Sequence, residues 1–245
     1  MIKKEQLQSI IQKYFLGGLV ESTKWTIQDK KLSIKFMAPS SDMLGQLECP
    51  NFELENSVFA VYNTTQLNKL LQVTSGELEL KLIKIGKIAS KINIDDKHFN
   101  VTYSLADVML INKVAEVDEP DTYEVELNLT DEDVQALIKA KNALIDGDNF
   151  TIESDMDIHG EPIILFTFGD DTEYANKVTY SIQTKSESRI GKTPFNSIHL
   201  KEILTANKDL ENSKILINGE GLMKLKFSNK EGFNSEYFMI RKPEL

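Results

Sequence analysis

The chain has 245 residues, 41% of them hydrophobic and 8% aromatic, enough for one large core or two of medium size. It has no apolar run of membrane-spanning length, and the single cysteine, Cys49, excludes an intrachain disulfide and suits a reducing, cytoplasmic setting. A net charge of −10 opposes any phosphate-rich partner unless the positive charges gather on one surface.

The start of the chain leads into an amphipathic stretch broken by polar residues, which is not the pattern of a signal peptide. Leu7, Ile10, Ile11 and Tyr14 follow i, i+3, i+4, i+7 and predict a one-faced helix. Lys31–Phe36 alternates as a strand. The strand-like Val58–Tyr62 precedes Asn63 and Thr64, either of which suits the cap of a short helix carrying Leu67, Leu70 and Leu71. Glu77–Leu82 and His98–Tyr103 are further strands. The acidic, proline-containing stretch 112–122 has no clean period and separates a first domain, 1–111, from a second, 123–245.

The pattern then returns. Tyr123–Leu129 alternates, and Thr130 with Asp133 forms a capping-box arrangement ahead of a helix bearing Val134, Leu137, Ile138 and Leu144. Strands follow at Ile163–Phe168 and Lys177–Ile182, and a fourth helix begins after Phe195 and carries Ile198, Ile203 and Leu204. Lys214–Ile217 and Met223–Phe227 are the last strands, separated by the turn residues Asn218–Gly221. Helix starts recur at intervals of roughly 60–70 residues, longer than in solenoid repeats. Such a chain is a pseudo-duplicated α+β protein, with helices on one face of antiparallel sheets.

Nothing in the sequence supports catalysis, a cofactor or a metal. Asp155 to Gly160 imitates the start of a calcium loop, but Phe166 stands where a bidentate glutamate is needed, so a turn is predicted there. Gly219-Glu220-Gly221 reads as a hairpin turn. His98, His159 and His199 have no partner at zinc-ligand spacing, and Cys49 has no identifiable base.

Three segments carry a resemblance: Phe59–Tyr62 leading to Leu67, Leu70 and Leu71; the helix Glu132–Lys139; and the stretch from Phe195 to Ile240. The layout resembles the DNA sliding-clamp family, in particular the two-domain clamps of T-even bacteriophages and proliferating cell nuclear antigen. Such clamps form trimeric rings with helices inside and sheets outside. The resemblance implies a DNA-clamp fold with two domains per protomer and a non-enzymatic role in DNA replication. It also implies sequence-independent binding of double-stranded DNA, a homotrimer, a DNA polymerase partner, and loading by a clamp-loader ATPase in the cytoplasm of an infected host. A phage tail or baseplate component, also acidic and β-rich, is the alternative from another class.

The helix faces away from the apolar stripes give the resemblance a physical counterpart. Lys4 and Lys13 fall there on the first helix, Lys69 on the second and Lys139 on the third, with Lys201 and Lys208 beside the fourth stripe. These six are the expected DNA contacts. By family analogy, Glu77–Leu82 and Lys177–Ile182 are the strands through which protomers join. The resemblance likewise implies a pocket for partner peptides formed by the loop Met37–Leu44, the linker and the tail to Leu245, with Met43, Leu44, Val114, Val117, Met239 and Pro243 as its apolar surface.

Overall fold

The computed structural model describes residues 1–144, 147–169 and 175–243. The chain divides into two compact units, Met1–Ala115 with Lys230–Ser235, and Glu116–Asn229 with Glu236–Leu245. The expected tail residues Glu244 and Leu245 lie outside the described residues.

The first unit contains β1 (Ile2–Lys3), α1 (Lys4–Phe15), β2 (Thr23–Gln28), β3 (Lys31–Met37), β4 (Met43–Cys49), β5 (Ser57–Val61), α2 (Thr64–Gln72), β6 (Glu77–Ile85), β7 (Ile88–Asp95) and β8 (Asn100–Ser104). Its strands run antiparallel in the orders β5-β2-β3-β4 and β1-β6-β7-β8. Alternation places Trp25, Ile27, Ile34, Phe36 and Phe59 inward, where Trp25 meets Tyr14 of α1 edge-on at 6.1 Å. The Tyr14 hydroxyl is hydrogen-bonded to Thr64 at the start of α2, and burial raises its pKa well above the usual phenol value. Gly45 lies under the Phe36 ring, where an added Cβ would come within 2.2 Å of Cζ.

The second unit repeats the plan with β9 (Val125–Leu129), α3 (Asp131–Ala143), β10 (Asn149–Met156), β11 (Pro162–Phe168), β12 (Val178–Gln183), β13 (Thr193–Asn196), α4 (Ser197–Asn207), β14 (Asn212–Ile217), β15 (Leu222–Ser228) and β16 (Asn234–Ile240). The strand orders here are β12-β11-β10-β13 and β16-β15-β14-β9. Phe150 stacks on Phe166 and Phe168, and Asn207 of α4 donates from Nδ2 to the hydroxyl of Tyr237 on β16 at 2.8 Å. Thr130 and Asp133 form the reciprocal capping box, and Asn63 and Asn196 cap α2 and α4. Each unit thus holds one helix pair, α1 with α2 and α3 with α4.

Two expectations change. Met37–Leu44 is not a loop throughout: only Ala38–Asp42 forms the turn, and β4 already begins at Met43. Glu77–Leu82 is a terminal strand only in part: β1 pairs with Glu77 and Leu78, and Glu79–Leu82 has no partner strand on that side among the described residues, with β7 on the other. At the other end of that sheet lies β8, bare along its outer side among the described residues; β12 holds the same position in its own sheet.

The Gly45 site yields a stability prediction. Gly45→Ala must displace the Phe36 ring from a closely packed core, so urea unfolding is expected to show a loss of about 1–3 kcal/mol. Unchanged stability would contradict the packing described around β3 and β4.

Candidate nucleic-acid interface

Every helix buries one stripe and leaves its other side to solvent. On α1 the stripe is Leu7, Ile10, Ile11 and Tyr14; on α3 it is Val134, Leu137 and Ala140; on α4 it is Leu200, Ile203 and Leu204. Exposed on α1 and α2 are Glu5, Gln6, Gln12, Gln66, Lys69 and Gln72, and on α3 Asp131, Glu132, Gln135, Lys139 and Asn142. Beyond the acidic first turns of α1 and α3, a run of amides and isolated lysines offers hydrogen bonds and scattered positive charges. It suits contacts with a phosphate backbone in which no base is read.

The six expected lysines do not share one environment. Lys69, Lys139 and Lys208 are exposed, Lys208 as the residue that ends α4. Lys201 is half-buried and pairs with Glu202 at 2.9 Å. Lys4 turns back onto the end of α2, its ammonium donating to the carbonyls of Gln72 at 3.3 Å and Thr74 at 2.5 Å. There it satisfies oxygens that a helix end leaves without intrahelical partners.

Lys13 is a correction. It is 1% exposed, donates to Ser9 Oγ at 2.6 Å, and its Nζ lies 5.5 Å from the centroid of the Phe233 ring. A helical wheel sets Lys13 at the border of the apolar stripe, and Phe233, distant in sequence, closes over it. Lys141 on α3 is likewise buried, donating to the carbonyls of Leu144 and Gly147 at 3.1 and 2.7 Å.

The six expected pocket residues fall in different places. Met43, Leu44 and Val114 belong to the first unit, and Val117, Met239 and Pro243 to the second. Met43 and Met239 are fully buried strand residues and Leu44 is nearly so, which corrects the expectation that they form an adaptable surface. Met43, Leu44 and Gly45 are consecutive buried positions, a pattern that gives no solvent-facing alternate. Val114 and Val117 are half-buried, and Pro243 is exposed.

Sequence reasoning missed how the segment after Glu116 is fastened. Lys224 on β15 is 6% exposed, and its ammonium donates to both carboxylate oxygens of Glu119, at 2.9 and 2.7 Å, while Glu236 stands at 3.2 Å. The Phe238 ring lies 4.8 Å from the same ammonium. Tyr123 also donates to Glu119; burial and the charges of Glu119 and Glu236 push its pKa up to about 12. An exposed glutamate in an irregular stretch carries no sequence signal of this pairing. On the terminal strand β12, Tyr180 donates to Asp133 Oδ1 at 2.8 Å, which ties that strand to the capping box of α3. Burial and Asp133 raise the Tyr180 pKa to about 12.

These placements separate two classes of lysine. Lys13→Ala and Lys224→Ala are each expected to lower stability by about 1–3 kcal/mol, since each removes a buried side chain together with its hydrogen bonds and its packing against an aromatic ring. Lys69→Ala, Lys139→Ala and Lys208→Ala are expected to stay within about 0.5 kcal/mol of the parent. Chemical denaturation of the five variants checks the ordering, and the opposite order would refute it.

No protein-family model matches this chain, and no curated protein matches it by sequence. Solved structures do match over nearly its whole length. The proliferating cellular nuclear antigen of Entamoeba histolytica is 16% identical, covering 98% of this chain and 96% of its own, with a TM-score of 0.76. The proliferating cell nuclear antigen of Thermococcus kodakaraensis is 14% identical over 99% and 98%, with a TM-score of 0.72. A chain of the PCNA2–PCNA3 complex of Sulfolobus tokodaii is 11% identical over 100% and 98%, with a TM-score of 0.74. The chain therefore has the two-domain α+β clamp fold that these antigens share.

Proposed function

We propose that this protein is a DNA sliding clamp: a non-enzymatic processivity factor that encircles duplex DNA as a homotrimer and tethers a replicative DNA polymerase. The observation that carries the reading is a clamp fold matched from end to end, with helix faces bearing amides and lysines and no catalytic set among the described residues. A tail or baseplate component has no comparable support. In this reading Lys69, Lys139 and Lys208 contact phosphates, with lesser parts for Lys4 and Lys201. The segment 112–122 links the domains 1–111 and 123–245. A clamp-loader ATPase opens and places the ring, and a T-even-type phage setting, with the host cytoplasm as location, belongs to the same proposal.

Closure follows from the two terminal strands. The bare side of β8 in one copy pairs with β12 in the next, head to tail, which satisfies two open edges at once and generates a ring. Partner peptides dock beside Val114, Val117 and Pro243, the expected pocket residues that keep exposed surface.

The test is a triple charge reversal, Lys69→Glu, Lys139→Glu and Lys208→Glu, in a primed-circle synthesis assay with polymerase and loader. Removing a lysine from a phosphate weakens DNA binding without changing sequence preference. The expected result is shorter products from a protein with unchanged stability. Full-length products at the parent's rate would remove these lysines from the interface.

A further inference from the structure

The segment 116–123 leads into β9 and has little means of holding itself in place. It carries Glu116, Asp118, Glu119 and Asp121 and no lysine or arginine, so its own charges repel one another. Pro120 lacks an N–H and favours extended backbone at Glu119. Among the described residues, no backbone group from 116 to 123 is hydrogen-bonded to another backbone group. Val117, Pro120 and Tyr123 are half-buried, and the rest of the segment is exposed.

One side chain supplies the polar attachment. Among the described residues, every hydrogen bond and ion pair of the segment runs through the Glu119 carboxylate. Lys224 on β15 donates to both of its oxygens, at 2.9 and 2.7 Å, and Tyr123 donates to Oε2 at 3.3 Å. Glu116, Asp118 and Asp121 make no ion pair among the described residues. Charge-assisted hydrogen bonds are the strong kind, and two on one carboxylate fix its position as well as its distance.

The receiving side is built so that release strands no charge. Lys224 is 6% exposed, and an unpaired ammonium at such a place would be strongly destabilising. Without Glu119 the ammonium keeps Glu236 at 3.2 Å and the Phe238 ring at 4.8 Å. Lys226 holds the other oxygen of Glu236 at 3.1 Å, so that carboxylate is itself fixed. The attachment can therefore open and close while β15 and β16 keep their own contacts. Exposed chain with few backbone hydrogen bonds is what opens locally at low free energy.

We infer that segment 116–123 is a strap fastened to the second unit at a single point, the Glu119–Lys224 pair, and that loosening this pair frees the strap while the sheet behind it stays folded. The fastening goes beyond the clamp reading and does not depend on it. Its consequence does rest on that reading: the strap carries Val117, so Glu119 and Lys224 are positioning residues for the docking surface beside it.

Limited proteolysis of the full chain by a glutamate-specific protease tests the fastening. The readout is the rate of cleavage after Glu116, divided by the rate for the same variant unfolded. Where reclosing is fast, that ratio follows the population of the open strap. Glu119→Gln is expected to be cut about tenfold faster than the parent, with thermal unfolding unchanged, because only the charged bonds of an exposed carboxylate are lost. Lys224→Met leaves the sequence of the strap intact and is expected to speed cleavage similarly. Combining the two is expected to add less than about threefold to either alone, since both break one pair. A folded single variant cut at the parent's rate, or a double variant cut about a hundredfold faster than the parent, would overturn the inference. So would an equal rise at glutamates outside the strap, which would make the opening global. None of these rates reads assembly or DNA retention, so the clamp reading stands or falls separately.

Discussion

One constraint governs the architecture: a helix packed on a sheet hides a single stripe, and the face behind it has to meet water or a partner. Each unit satisfies this twice. The buried stripes fix α1 with α2 and α3 with α4 above layers rich in aromatic side chains, where Trp25 and Tyr14 anchor one core and Phe150 and its stacked neighbours the other. The faces left over are long, polar and without any group set for chemistry. A surface of this kind is useful for contact along a regular polymer, and the sheets behind it are left to make joints.

The joints depend on a second constraint, the open strand edge. Backbone groups along β8 and β12 have no strand partner on one side among the described residues, and such edges invite another chain. In the proposed ring, a head-to-tail pairing would turn that liability into closure. Charge then does different work in different places. In the proposed reading, scattered lysines on the helices contribute weakly and additively to a phosphate contact. The net charge of −10 sits mostly away from the helix faces, apart from the acidic first turn of α3, so an acidic protein and a DNA-contacting surface are compatible.

Much of this was legible in the residues. Strict i, i+3, i+4, i+7 spacing located α1, the Thr130–Asp133 box located the start of α3, and alternation located β3, β11 and β15, because local chemistry decides these features. What escaped depends on partners distant in sequence. Lys13 reads as a solvent-facing lysine until Phe233 covers it, and Lys224 reads as an ordinary strand lysine until Glu119 reaches it. The run Met43-Leu44-Gly45 lacks alternation because all three positions are buried, so β4 looked like part of a loop. That β1 covers Glu77 and Leu78 was not legible, because a strand only two residues long leaves no periodic trace. The solvent-facing sides of the helices were legible from the apolar stripes, but the environments of Lys4, Lys13 and Lys201 were not.

The central claim is that the protein holds DNA by enclosing it. The direct measurement is retention on a nicked circular duplex after loading, compared with the same DNA cut once by a restriction enzyme. The account predicts that the protein stays with the circle through a high-salt wash and is lost from the cut molecule by sliding off its ends. Equal retention on both forms, or equal loss from both, would contradict it.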